Sequence, residues 1–207
     1  MKFWLYDILA CPIDKHYPLK LFIFSYDTKS EEINTLIDIL KQRDIDIIEN
    51  EEVIITEMKN DEFFLKDAII LEKTKLNTYL QLIIRAINEF NNIYDNSSNQ
   101  LTKLCLKIIK NEIKPVIEKF MLDINPNKIQ GIFPELYFLN KIKLNLEIDS
   151  GILYCAKCNR WYPIIETIPQ MLPDEFRKEE EEVKFLKSIR NLLDDKFFQQ
   201  DLKPFNL

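Results

Sequence analysis

Four residues of this chain have the types and spacing of a metal site. Cys155 and Cys158 form a C-x2-C pair. A tetrahedral zinc ion held by that pair needs two more soft or borderline donors from elsewhere. The other tight turn rich in donor types is Cys11-Pro12-Ile13-Asp14-Lys15-His16, which contains the chain's one histidine. Two candidates compete for the fourth position, His16 at C-x4 from Cys11 and Asp14 at C-x2. Separation along the chain is no objection. Closing a loop of about 140 residues costs roughly 4 kcal/mol, whereas a structural zinc supplies on the order of 10 kcal/mol or more. The expected cofactor is therefore zinc, on Cys11, His16, Cys155 and Cys158, with Asp14 as the alternative to His16.

A C-x2-C can also be a redox dithiol, but that chemistry needs a helix N-terminus to lower a thiol pKa, and strand-like text lies on both sides of this pair. Four cysteines are too few for a disulfide scaffold of this size. Cys105, in LTKLCLKII at core spacing, reads as a small buried hydrophobe. Asn159, just after the second cysteine of the pair, is suited to a turn that requires positive φ.

The rest of the composition excludes several functions. The chain has 207 residues, 46% of them hydrophobic, a formal charge of -6 and two glycines, Gly131 and Gly151. So few glycines leave no phosphate cradle, dinucleotide fingerprint or nucleophile elbow. The acidic balance argues against direct nucleic-acid binding, which rests on clustered Lys and Arg. No apolar run approaches a membrane span, and the N-terminus lacks the pattern of a secretory signal, so the expected location is the cytoplasm.

The elements that must position the site fall into three blocks. Residues 1–28 hold a short helix, the CPIDKHYP turn and the strand-like PLKLFIFSY. Residues 29–142 read as a mostly helical insert. Within it Ile33, Leu36, Ile37 and Leu40 make an i, i+3, i+4, i+7 stripe, EEVIITEM is strand-like, and helices are expected over 73–94 and 100–122. Pro115 should kink or end the second of these, and a weaker helical piece spans 134–140. Residues 143–175 return to β pattern, with LNLEI and ILYC as a hairpin turning near Gly151. A C-terminal helix and tail follow over 176–207, with Val183, Leu186, Leu193 and Phe197 at core spacing. The expected fold class is α+β: a small zinc-ribbon-like β domain formed by both chain ends (1–28 plus 143–175), a large mostly helical insert, and a C-terminal helix.

The segments LYDILACPIDKHYPLKL and LYCAKCNRWYPIIETIPQML together resemble the archaeal and eukaryotic family of small zinc-binding activator subunits of tRNA, ribosomal RNA and release-factor methyltransferases. The resemblance covers about the first 24 residues and 144–173. It implies a non-catalytic subunit that forms heterodimers with class I S-adenosylmethionine-dependent methyltransferases, stabilises and activates them, and touches RNA only through them. By motif, Cys11, Cys155 and Cys158 match three zinc ligands, and His16 stands where eukaryotic members carry a fourth cysteine. The implied partner surface is an extended apolar run, Ile164, Ile165, Ile168, Pro169, Met171 and Leu172, with Phe3 and Trp4 beside it. Such a run can add to the edge of a partner's sheet while its side chains fill pockets. A different class, a stand-alone zinc-ribbon module of a transcription or translation assembly, would require a basic face near the knuckle, where only Lys157 and Arg160 are close in sequence.

Overall fold

The computed structural model describes residues 1–60 and 62–207. In chain order it contains α1 (Phe3–Tyr6), β1 (Lys20–Tyr26), α2 (Ser30–Gln42), α3 (Ile45–Asn50), β2 (Ile55–Lys59), β3 (Glu62–Lys66), β4 (Thr74–Lys75) and α4 (Leu76–Glu89). It continues with β5 (Ile93–Asp95), α5 (Gln100–Ile108), α6 (Lys114–Leu122), α7 (Phe133–Asn145), β6 (Ile148–Tyr154), β7 (Trp161–Ile165), β8 (Ile168–Pro169), α8 (Glu179–Ser188) and α9 (Asp195–Phe198). The class is α+β, as the sequence predicts. No helix among the described residues is long and apolar enough to cross a membrane.

The chain divides into two compact units. The first comprises Met1–Asp27, Asn91–Asn99 and Glu147–Leu207. Its centre is a five-stranded sheet in the order β5-β1-β6-β7-β8, with β5 parallel to β1 and the other neighbours antiparallel. The two ends of the chain meet in this sheet: Lys20 lies opposite Tyr154, and the Ile148 N–H donates to the Met1 carbonyl at 2.8 Å. One face of the sheet, Phe24, Ile152, Tyr154 and Trp161, packs against Leu186, Ile189, Leu193, Phe197 and Leu202 of the C-terminal segment. Of the side chains expected to form that contact, Val183 alone is only half-buried.

Two local expectations change here. LNLEI is not a strand, because α7 runs through Asn145 and only its last two residues pair, Glu147 in an isolated bridge to Lys2 and Ile148 as the first residue of β6. Gly151 is not a turn residue either. It lies within β6, and a Cβ there would approach the Phe22 carbonyl oxygen to 2.6 Å, so glycine serves close backbone contact. The positive-φ positions of the chain are instead held by non-glycine residues, among them Asn159 (φ 56°), as its type predicts.

The second unit comprises Thr28–Phe90 and Gln100–Leu146 and contains a three-stranded sheet, β2-β3-β4, with helices α2 to α7. On α2, Ile33, Leu36 and Ile37 are buried as their period predicts, while Leu40 is half-buried. The helix expected over 73–94 is shorter, since Thr74–Lys75 pairs with β3 and Ile93–Asp95 leaves to join the first unit's sheet. Between α5 and α6 the backbone widens into a π turn over Ile109–Ile113, just ahead of Pro115. Pro115 has no N–H for an ordinary α-helical bond, and the wider turn accommodates it without ending the helix. The piece that seemed weakest, α7, is the most buried helix, with Leu136, Tyr137, Phe138, Leu139, Asn140, Ile142 and Lys143 all inside. A helix enclosed on every side has no polar face, so it shows no amphipathic period.

A polar knot ties this unit together. The Asp67 carboxylate accepts from the Tyr79 hydroxyl, from Asn140 Nδ2 (2.8 Å), and from the Ile69 and Ile70 N–H groups (2.8 and 2.6 Å). Asp67→Ala leaves four donors without their acceptor in a buried site and should destabilise the protein by about 3–5 kcal/mol in urea unfolding. Gly151→Ala should cost about 1–3 kcal/mol by the same measurement, because backbone rather than a flexible side chain must yield.

Candidate metal centre and exposed apolar surface

Two turns of the same construction face each other. In the first, the Cys11 N–H donates to the His16 carbonyl at 3.0 Å, and Lys15 takes a left-handed conformation (φ 57°). In the second, the Cys155 N–H donates to the Arg160 carbonyl at 2.8 Å, and Asn159 is left-handed (φ 56°). Aligning the two turns makes Asp14 the counterpart of Cys158 and His16 the counterpart of Arg160, the residue whose carbonyl closes the loop.

The donor atoms converge accordingly. One ligand atom from each of Cys11, Asp14, Cys155 and Cys158 lies within 4.8 Å of all the others. The Cys11 and Cys158 sulfurs are 3.6 Å apart, and Cys155 Sγ lies 3.6 and 3.7 Å from the two Asp14 oxygens. Zinc bonds of about 2.3 Å to sulfur and 2.0 Å to oxygen give tetrahedral edges of about 3.8 Å between sulfurs and about 3.5 Å between sulfur and oxygen. The donor set therefore fits a zinc ion both chemically and in size. His16 is not part of the group. Its N–H donates to Asp14 Oδ1 at 3.1 Å, which orients the carboxylate toward the sulfurs. Of the two candidates for the fourth position, the structure brings Asp14, at the same C-x2 spacing as Cys158, to the sulfurs and leaves His16 outside the group.

The surroundings tune the site. Burial pushes the Cys155 thiol up to about 12, against the pull of the Cys158 and Lys157 N–H groups that face its sulfur. That is the opposite of a reactive redox thiol, and turn rather than helix follows the pair. Partial desolvation raises the Asp14 pKa, but hydrogen bonds from the His16 N–H and the three thiols outweigh it and hold the carboxyl below its ordinary range. The buried Tyr162 hydroxyl lies 3.3 Å from Cys11 Sγ. Arg160 is held by Asp174 through Nε (3.1 Å) and Nη2 (2.8 Å), and that pairing, with Cys158 beside it, raises the guanidinium pKa further. Three thiolates and a carboxylate around a divalent ion carry a net double negative charge, and Arg160 offsets part of it. Cys105 is buried in α5, where desolvation pushes its thiol up to about 12.

The apolar run beyond the second turn is not one extended ribbon. It reverses at Glu166 (φ 48°) and Thr167 (φ 66°), so that β8 folds back on β7 with Ile165 opposite Ile168. Two residues at positive φ form the turn twist that hairpins favour, here without glycine. Strand alternation then divides the candidate surface. Ile165, Ile168 (58% exposed) and Leu172 reach solvent, and Pro169 and Met171 are half-buried. Ile164 is fully buried against Gly151, and Phe3 is buried beside Tyr6, so neither is open to a partner. Trp4, on the other side of α1, is exposed. Sequence reasoning missed Ile8, four residues after Trp4 and 69% exposed, and also Ile13 and Phe176. The helical spacing of Trp4 and Ile8 was the available signal for the first of these.

A family model described as Trm112p-like protein matches residues 2–166. No curated protein matches the chain, and no solved structure matches it. The matched span covers most of the chain and includes both cysteine turns and strands β1, β5, β6 and β7 of the sheet that joins them. The protein belongs to the Trm112p-like family, whose members are non-catalytic adaptors that activate methyltransferases.

Proposed function

We propose that this chain is a non-catalytic subunit that forms heterodimers with class I S-adenosylmethionine-dependent methyltransferases acting on tRNA, ribosomal RNA or release factor, and keeps them stable and active. The observation that carries this reading is the match to an adaptor family across both cysteine turns. The net charge of -6 supports RNA contact through the partner rather than through this chain. The docking surface comprises Trp4, Ile165, Ile168, Pro169, Met171 and Leu172. Support comes from the exposure of large apolar side chains on a short hairpin, where a monomer gains nothing by displaying them. Side chains rather than added strands do the docking, because Pro169 has no N–H to offer a further strand.

Zinc bound by Cys11, Asp14, Cys155 and Cys158 joins the two turns and thereby holds the root of that hairpin. When bound it supplies a structural crosslink and no reaction step. The sole carboxylate makes the fourth bond harder and weaker than a thiolate's.

Purified protein should contain about one zinc per chain by elemental analysis. Asp14→Ala and Cys155→Ser should each lose most of it, and Cys155→Ser should also lower the melting temperature by about 10 °C or more. His16→Ala should retain the metal, and loss of zinc in that variant alone would reverse the ligand assignment. For the partner, co-expression with class I methyltransferases of the same source should give a soluble stoichiometric complex. Ile168→Asp or Trp4→Asp should weaken it at least tenfold with an unchanged melting temperature. Failure of every such enzyme to co-purify with the wild-type chain would overturn the function.

A further inference from the structure

Tyr162 stands four residues after Cys158 and is fully buried, although its hydroxyl is polar. Strand alternation explains where it points. Its neighbour Trp161 packs into the face of the sheet that the C-terminal segment closes. Tyr162 therefore turns to the opposite face, where the first cysteine turn arrives from the other end of the chain. There its hydroxyl lies 3.3 Å from Cys11 Sγ, a contact between residues 151 apart in sequence. A hydroxyl buried without a partner is costly, and this sulfur is its partner.

The ring is fixed in that position. Tyr162 lies opposite Leu153 of β6, and the Arg177 guanidinium sits over its ring, 5.3 Å from the centre. The Arg177 side chain is itself fully buried and is held by Glu182, to which its Nε donates at 2.9 Å. A hydroxyl placed this way needs no rearrangement when a metal ion arrives beside the sulfur.

The direction of the hydrogen bond depends on the metal. Without an ion, either the thiol or the hydroxyl can donate. A zinc-bound cysteine is a thiolate with no proton to give, so in the loaded centre only the hydroxyl can donate. Hydrogen bonds to a charged acceptor are roughly twice as strong as neutral ones, so the contact favours the loaded state over the empty one. The other three donors have neighbours of their own. Cys155 faces the Cys158 and Lys157 N–H groups, Asp14 accepts from the His16 N–H, and Cys158 lies beside Arg160. Cys11 is closed off from water, so the charge on its sulfur must be stabilised by groups of the protein.

We infer that the Tyr162 hydroxyl donates a hydrogen bond to the Cys11 thiolate of the loaded metal centre and thereby sets how tightly the ion is held. The inference rests on the zinc reading above and adds a residue that does not touch the metal. Tyr162 positions and stabilises one ligand rather than serving as one.

The test compares the full wild-type chain with Tyr162→Phe and Tyr137→Phe. Zinc dissociation constants are measured by competition with a chromophoric chelator, and the thiolate-to-cobalt charge-transfer band is recorded after loading with cobalt(II). Tyr137 donates to Glu51 at 2.8 Å within the second unit, so its variant loses a tyrosine hydrogen bond that no metal ligand receives. Tyr162→Phe should raise the zinc dissociation constant about tenfold or more. It should also move the cobalt band to lower energy, because a thiolate relieved of a hydrogen bond gives up an electron more readily. Tyr137→Phe should change neither. Equal effects in the two variants would make general stability the cause and overturn the inference. So would a zinc constant within twofold of wild type, or an unmoved band, in Tyr162→Phe that still binds metal, and the zinc reading would then stand. Should Tyr162→Phe fail to fold, the wild-type sequence produced with 3-fluorotyrosine keeps every ring and makes each hydroxyl a stronger donor. Its cobalt band should shift to higher energy, and an unmoved band would overturn the inference. A wild-type chain that binds neither zinc nor cobalt would overturn both readings together.

Discussion

The antiparallel register of β1 on β6 is the constraint on which the metal centre depends. Lys20 opposite Tyr154 aligns the start of one strand with the end of the other. The first cysteine turn closes at His16, shortly before β1, and the second opens at Cys155, directly after β6. Pairing in this register puts the two turns at the same end of the sheet, where Cys11 and Cys158 come within 3.6 Å. A slip of one residue would turn every side chain of β1 to the opposite face and bury its polar set. The hydrophobic pattern of the strand therefore protects the geometry of the site, and a metal ion bound there would in turn resist separation of the strands.

The same sheet separates stability from recognition. One face is closed by Leu186, Ile189, Leu193 and Phe197 of the C-terminal segment, so the sheet needs no partner on that side. At the β7 edge, the Lys203 carbonyl accepts from the Trp161 N–H at 3.3 Å, and the Trp161 indole donates to the Phe205 carbonyl at 3.1 Å. The tail occupies the strand edge nearest the metal turn, while β8 occupies the rest. Few backbone groups of β7 remain for another strand, and the exposed chemistry of this region is carried by side chains such as Ile165 and Ile168.

What was legible in the sequence followed from periodicity and from residue types with few alternative uses. The β1 strand, the α2 stripe, the C-x2-C turn and positive φ at Asn159 are local patterns with local causes. Three kinds of information were not local. The central place of α7 could not be read because a helix buried all round has no polar face to mark it. The role of Gly151 depends on the Phe22 carbonyl of a strand far away in sequence, so its rarity was misread as turn chemistry. The strand Ile93–Asp95 joins the first unit's sheet from within a region of helical composition, and its three residues are too few to carry a period.

The metal turns illustrate how much a resemblance can hide. Matching His16 to a family cysteine by position in the text favoured it over Asp14, yet the backbone obeys a different rule. Each turn is built by a cysteine N–H bonding to a carbonyl five residues on, with a left-handed residue just before that carbonyl. In both loops the third residue after the cysteine, Asp14 or Cys158, brings its side chain beside that cysteine's sulfur, and the closing residue supplies its carbonyl. Histidine at the closing position has its backbone engaged on both sides, accepting from Cys11 and donating to Asp14. The residue that the geometry selects is thus the carboxylate, and the hydrogen bond from His16 is what holds it there.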